Sequence, residues 1–406
     1  MDALFIFYQA LVLACLVIFL GMVIANLACF EGLRPAQPPA AKDAPLISVL
    51  VPARNEARNI GLCVRSLLSQ DYPNFELIVL DDHSEDETAE IIRGLGMRND
   101  EIRMTNDDAR AERHRLLTGS PLPTGWTGKG WACHQLAAEA RGEFLFFTDA
   151  DTEHAPGTVS ALLAYAERHR ADLLSAWPRL VTRTWGECLV IPMILFLGLV
   201  MYPHWLVLFL QERPHLAARL PASFRRALGA ANGQSMFFRR PAYEKIGGHA
   251  VLRDHLVEDV ALGRAVASRM GEGMRLFNCE ALHFSTCRMY RSFPEVWEGF
   301  TKNMRAAFED SLGAFLGLGS LHVCAFVFPF LCLALGSPGG ALVMAQIAVI
   351  LCIRIFLTAR FRTSWWSAAC HPLSEALLMA IGLNSWRRMA TKGVTWKGRT
   401  YQSPGV

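Results

Sequence analysis

Long unbroken apolar runs sit towards both ends of the chain, while the middle alternates short apolar runs with polar segments. Residues 4–30 are nearly all apolar, with Gln9 and Asn26 as the main interruptions. A helix of roughly 20 residues crosses the hydrocarbon core, so this stretch is long enough. It has neither the basic start nor the small-residue cleavage site of a signal peptide, and a retained anchor over residues 1–30 is expected. Two further spans are expected at 311–336 and 339–357, joined tightly at Ser337-Pro-Gly-Gly340. Residues 188–210 carry Pro192, Pro203 and His204, and residues 366–383 carry His371, Pro372 and Glu375. Both of these apolar stretches are expected to be interfacial or re-entrant rather than single crossings.

Between these runs the period changes. Residues 46–52 are short, apolar, rich in β-branched side chains and ended by Pro52, the pattern of a strand buried on both faces. A helix is expected through Leu62, Val64, Leu67 and Leu68. A second strand is expected at 75–80, running into Asp81-Asp-His-Ser84, with Asp86 and Glu87 in the first turn of the next helix. Residues 101–104 predict a third strand and residues 144–148 another, which ends in Asp149-Ala-Asp151. Strands alternating with helices, with polar residues at strand C-termini, describe an open α/β sheet whose ligand site lies along that edge.

Basic residues set the orientation. Arg34, Lys42 and Arg54 follow the first span; Arg360, Arg362, Arg387, Arg388, Lys392, Lys397 and Arg399 follow the third. The central region and a basic tail over 384–406 are therefore expected in the cytosol. Arg354, near the cytosolic end of the third span, is expected to snorkel outward.

Bulk composition adds two exclusions. Apolar residues make up 52% of the 406 and charged residues 19%, but the net charge is only +3, too small to point to nucleic acid. Eleven cysteines are scattered without a Cys-x-x-Cys, several of them within apolar runs, which predicts reduced, buried thiols rather than a disulfide framework.

The chemistry sits in the acidic clusters at two strand ends. Asp149 and Asp151 flank one small residue, so both carboxylates can address one hard cation from a tight turn, and Mg²⁺ or Mn²⁺ prefers such oxygens. An ion there would bridge a diphosphate and offset charge on a nucleotide leaving group. Asp81 and Asp82 are placed to accept hydrogen bonds from a base and ribose. Lys129, in Gly125-Trp-Thr-Gly-Lys-Gly-Trp131, is within reach of a donor phosphate or is a surface lysine.

Val51-Pro-Ala-Arg-Asn-Glu56, Leu80-Asp-Asp-His-Ser84, Thr148-Asp-Ala-Asp151 and Val257-Glu-Asp-Val260, in that order, resemble the family 2 glycosyltransferases of the GT-A fold, over roughly residues 46–310. The resemblance implies a Rossmann-like α/β nucleotide-diphospho-sugar transferase domain, here flanked by N- and C-terminal transmembrane helices, the C-terminal membrane region covering 311–383. It implies an inverting transfer from a UDP- or GDP-sugar, with nucleotide-sugar binding by Pro52, Arg54, Glu56, Asp81, Asp82 and Asp149, and metal binding by Asp149 and Asp151. Asp259, beside Glu258, matches the family's general base. Inversion needs an acceptor hydroxyl to attack opposite the diphosphate while a base takes its proton, and a carboxylate at a helix start suits that role. Gly233 would allow close approach of sugar or acceptor. Trp396, Lys397 and Arg399, in the tail segment Trp396-Lys-Gly-Arg-Thr-Tyr401, resemble a terminal motif of lipid-directed members that returns towards the donor phosphates.

The Gln-x-x-Arg-Trp motif of processive synthases is absent after the Glu258-Asp259 pair, and too few spans remain for a polysaccharide channel. Single transfer to a membrane lipid, with the bilayer as partner, is therefore expected. The Trp-Thr-Gly-Lys, Arg-Met-Tyr-Arg-Ser and Trp-Lys-Gly-Arg-Thr-Tyr segments are most similar to the bacterial hopene-associated and carotenoid glycosyltransferases. Polyprenyl phosphate, diacylglycerol and ceramide stay open as acceptors. A non-catalytic membrane scaffold that binds nucleotide-sugar is the competing class, and intact Asp149, Asp151 and Asp259 argue against it.

Overall fold

The computed structural model describes residues 2–99 and 113–401. The strand expected at 101–104 lies outside the described residues. Contacts divide the chain into two units: Phe30–Arg179 with His204–Arg288, and Met1–Cys29 with Leu180–Pro203 and Met289–Val406.

The first unit is built on strands. In chain order they are Ile47–Ala53 (β1), Phe75–Asp81 (β2), Arg98–Asn99 (β3), His114–Thr118 (β4), Phe144–Thr148 (β5), Thr152–His154 (β6), Leu173–Trp177 (β7), Arg179–Leu180 (β8), Ser235–Arg239 (β9), Leu276–Glu280 (β10) and Ser285–Cys287 (β11). Among the described residues the main sheet has eight strands in the order β10-β7-β9-β5-β1-β2-β4-β3. Its centre, β5-β1-β2, is parallel, with Ile47 opposite Phe144 and Ala53 opposite Asp81. Side chains on both faces of these strands are buried, from Val49, Leu50 and Val51 to Leu77, Ile78 and Val79. Burial on both faces explains why the sequence there runs apolar without alternation.

This topology assembles one edge. Parallel neighbours β2, β1 and β5 all end on the same side, which brings together the turns after Ala53, Asp81 and Thr148. Strand β9 runs antiparallel to β5 and pairs Ser235 with Thr148. Gly233 and Gln234, just before β9, therefore reach that edge from the opposite chain direction.

The second unit is helical. Ala3–Cys29, Leu312–Ala334 and Gly340–Phe361 are each long and apolar enough to cross a membrane. Residues 188–210 are divided: Pro192–Met201 belongs to this unit, and His204–Gln211, which follows Tyr202 and Pro203, belongs to the first. The polar interruptions of the first helix turn inward. Asn26 is fully buried and its Nδ2 donates to the carbonyls of Leu199 and Tyr202, both at 2.8 Å. Gln346 Nε2 donates to the Gln9 carbonyl and to Gln9 Oε1, both at 2.7 Å. Buried amides of this kind join helices where apolar packing against lipid offers no preference for a partner.

Arg354 departs from expectation. Rather than snorkelling, it is 2% exposed; its guanidinium donates to Ser367 Oγ and stacks over the Phe196 ring at 5.4 Å. The cause is tertiary. Arg354 lies seven residues before Phe361, roughly 10 Å from that helix end, and the short helix Trp365–Ala369 packs back against Gly340–Phe361. Helix His371–Met389 adds further buried polar groups, among them Glu375, whose Oε1 is 3.2 Å from His322 Nδ1. All eleven cysteines are free.

Candidate active site

The loop after β1 and the loop after β2 hold each other. Arg54 Nη1 donates to the carbonyls of Asp82 (2.6 Å) and His83 (2.8 Å), and its Nη2 lies 3.2 Å from Glu85 Oε1. The Glu56 backbone N–H donates to Thr88 Oγ1 at 2.7 Å, while its carboxylate accepts from Asn59 Nδ2 at 2.9 Å. Arg54 and Glu56 thus shape the loop that presents Asp81 and Asp82. Both aspartates are buried, Asp82 with its N–H on the Ala53 carbonyl at 2.8 Å. Pro52 is half-buried, one residue before the end of β1. Asp86, not Glu87, makes the side-chain bonds that start the helix Thr88–Gly94, accepting from the N–H groups of Ala57 and Thr88.

Across the edge, Lys129 and three carboxylates form the electrostatic centre. Lys129 Nζ lies 2.7 Å from Asp149 Oδ1 and 2.8 Å from Glu258 Oε1. Burial by itself would depress this ammonium, but Asp149 and Glu258 overcome it and hold the pKa well above the usual lysine range. The residue is placed by its neighbours: Thr127 caps the helix Gly128–Glu139 through Gly130 N–H, and its own N–H donates to the Arg253 carbonyl at 2.7 Å. The turn that presents Lys129 is thereby tied to the loop leading into the helix Glu258–Ser268.

Asp259 is in the first turn of that helix. Its Oδ1 accepts from Val260 N–H at 2.8 Å and its Oδ2 from Gly233 N–H at 2.7 Å. Gly233 permits this close approach: a Cβ there would sit 3.0 Å from Asp259 Oδ2 and 3.1 Å from Asp259 Cβ. Burial, then the neighbouring Glu258 charge, pushes Asp259 up to about 6, against the opposing pull of Lys129 and the two N–H groups. A carboxylate poised there is anionic at neutral pH yet able to take a proton, the property a general base needs.

Behind the Asp149-Ala-Asp151 turn runs a polar chain that sequence reasoning did not single out. Thr148 Oγ1 donates to the Gln234 carbonyl at 2.8 Å and lies 2.8 Å from His154 Nε2. Gln234 Nε2 donates to Cys287 Sγ at 2.9 Å. Burial, then Asp151 and Asp149, holds the Cys287 thiol well above its usual range, so it stays protonated beside Asp151. The available signal was a histidine three residues past the acidic pair, in a buried strand.

The structure therefore gathers Pro52, Arg54, Glu56, Asp81, Asp82, Lys129, Asp149, Asp151, Gly233, Glu258 and Asp259 within one unit. Trp396, Lys397 and Arg399 belong to the helical unit, on the hairpin Val394–Trp396 and Arg399–Tyr401, where Lys397 takes the turn at φ 47°.

Against this geometry, the sequence matches the family described as "Glycosyl transferase family 2" over residues 48–244, spanning β1 to β9, and "Glycosyl transferase family 21" over residues 212–403. Both matched models describe glycosyltransferases, and the chain is a glycosyltransferase. It is similar to 4,4'-diaponeurosporenoate glycosyltransferase of Staphylococcus aureus (strain MRSA252), at 26% identity over 369 residues, covering 87% of this chain and 88% of that protein. The protein of the same name from strain Newman is 25% identical over 371 residues, with the same coverage. Among solved structures, the mannosyltransferase PcManGT from Pyrobaculum calidifontis, in complex with GDP-Man and Mn²⁺, is 18% identical with a TM-score of 0.48, covering 93% of this chain and 99% of that one.

Whether this glycosyltransferase has the donors for a metal can be tested on its own side chains. Among the described residues, no three His, Cys, Asp or Glu side chains converge to hold an ion alone. Asp149 and Asp151 supply hard oxygen donors from the one turn that ends β5. Two carboxylates completed by diphosphate and water oxygens suit Mg²⁺ or Mn²⁺, so the residues present fit the ion.

Proposed function

We propose that this glycosyltransferase transfers a sugar, with inversion, from a nucleoside diphosphate sugar to a lipid acceptor in the bacterial cytoplasmic membrane, from the cytosolic side. The observation that carries the reading is the held carboxylate of Asp259, fixed by two backbone N–H groups and raised towards neutrality beside the acidic turn that ends β5.

Asp81 and Asp82 accept hydrogen bonds from the base and ribose, on a loop that Arg54 and Glu56 keep in shape and that Pro52 enters. Asp149 and Asp151 hold a divalent cation, which when bound offsets the charge gathering on the diphosphate. Lys129 reaches the phosphates from the helix start. Asp259 takes the proton of the acceptor hydroxyl as oxygen attacks the anomeric carbon from the face opposite the leaving diphosphate. Glu258 keeps Asp259 basic and anchors Lys129. Lipid specificity is supported by the relatives named for a carotenoid-acid acceptor and by exposed apolar side chains on the long helices, including Leu4, Phe7, Ile18, Leu316 and Ile355.

Asp259→Asn tests the base. Transfer is expected to fall to background while nucleotide affinity is retained, because the amide preserves shape but accepts no proton; turnover equal to the parent would remove Asp259 from the mechanism. The acceptor class is tested by incubating membranes containing the enzyme with labelled UDP- and GDP-sugars and identifying the product by mass spectrometry. A glycolipid supports the reading, and a water-soluble polymer overturns it.

A further inference from the structure

Lys129 stands where a free cation would also be drawn. Its ammonium touches Asp149, one of the two carboxylates assigned to the metal, and Glu258, the neighbour of the base, at 2.7 and 2.8 Å. We propose that Lys129 is a tethered cation that occupies the Asp149 carboxylate until a nucleoside diphosphate draws the ammonium onto its phosphates, so that metal and donor enter together. The proposal rests on the assignment of the metal to Asp149 and Asp151.

Four carboxylates, Asp149, Asp151, Glu258 and Asp259, come from the end of one strand and the start of one helix. Left without a cation they would repel one another, and the ammonium of Lys129 balances two of them directly. A lysine at a helix start opposes the helix dipole, so its placement there is explained by the carboxylates rather than by the helix. The backbone is pinned through Thr127 and Arg253, whereas the side chain is 38% exposed and carries a flexible four-carbon stem. The head can therefore move while the turn stays fixed. A divalent ion approaching Asp149 meets this positive charge and must displace it. A diphosphate offers the ammonium a more concentrated anion, and moving there vacates Asp149.

Metal and nucleotide are then coupled, and the coupling is reciprocal. In the parent, Mn²⁺ binds weakly to the donor-free enzyme and more tightly once UDP or GDP is present. In Lys129→Met, donor-free Mn²⁺ affinity rises and nucleotide affinity falls, so that the two change in opposite directions.

The test titrates Mn²⁺ into the purified full chain in detergent, reading free Mn²⁺ by electron paramagnetic resonance with and without UDP or GDP. Donor-free affinity is expected to rise about tenfold in Lys129→Met, a change set by removing one unit charge at contact distance in a partly solvated site. Lys129→Arg, which restores the charge, is expected to return it towards the parent. Misfolding would weaken Mn²⁺ and nucleotide together, the opposite of the expected pattern. If parent binding depends on Asp151 but Lys129→Met binds donor-free Mn²⁺ no more tightly, the tethered-cation proposal fails while the metal assignment stands. If Asp151→Asn leaves parent Mn²⁺ binding unchanged, the metal assignment itself fails.

Discussion

Gly233→Ala is the most economical probe of how Asp259 is held. No left-handed conformation demands a glycine at this position, so the backbone tolerates alanine. The added methyl would lie 3.0 Å from Asp259 Oδ2, 3.1 Å from its Cβ and 3.3 Å from its Cγ. Those separations are short of ordinary van der Waals contact, and the carboxylate must retreat by a few tenths of an ångström. Retreat lengthens the 2.7 Å bond from Gly233 N–H, one of only two backbone donors that aim the base. A hydrogen bond to a charged group contributes about 1.5–3 kcal/mol. Losing about half of one, roughly 0.75–1.5 kcal/mol, corresponds to a fall in kcat of about fourfold to tenfold. Donor affinity should change little, since Asp81, Asp82 and Asp149 lie on other loops, and thermal stability should stay close to the parent. The assay is steady-state transfer to membrane acceptor, with nucleotide affinity and melting temperature measured in parallel. Turnover within twofold of the parent would show that Asp259 is not positioned by this contact.

Other perturbations read other parts of the site. Glu258→Gln removes the anionic neighbour that helps raise Asp259 to about 6. A base works deprotonated, so transfer by the parent should rise with pH through that value, and the acid limb of kcat should move to lower pH in the variant; an unmoved limb would exclude the coupling. Asn26→Leu deletes two buried hydrogen bonds in the helical unit and should lower stability in detergent by about 1 kcal/mol, with equal melting behaviour counting against that role. Arg354→Ala should lower folded yield, because it leaves Glu375 and Ser367 without their buried cationic neighbour; normal yield would show that the buried arginine is dispensable.

The strands at the centre of the sheet were legible in the chain because burial on both faces leaves an unbroken apolar run, as in Ile47–Ala53 and Phe144–Thr148. The three helices long and apolar enough to cross a membrane were legible for a similar reason, since that property is one of length and apolarity alone. Asp81, Asp149 and Asp259 were legible as types at positions, as acids placed at the ends of strands or the start of a helix. Their partners were not. Nothing in local sequence links Lys129 to Glu258, and nothing marks Arg54 as the brace of a carbonyl pair 28 residues away.

Sequence by itself determined which segments are apolar enough to span, which are strands, and which residues carry charge at their ends. These are local properties, set by side-chain chemistry over a few turns. Tertiary structure decided which charges meet. The antiparallel entry of Ser235–Arg239 beside Phe144–Thr148 delivers Gly233 to Asp259, and the Thr127–Arg253 tie sets Lys129 between Asp149 and Glu258. Arg354 changed from an expected surface cation to a buried one because a short helix after its own span folds back over it. A charge takes its meaning from what lies within a few ångströms, and in this chain those neighbours are supplied by segments up to about a hundred residues or more away.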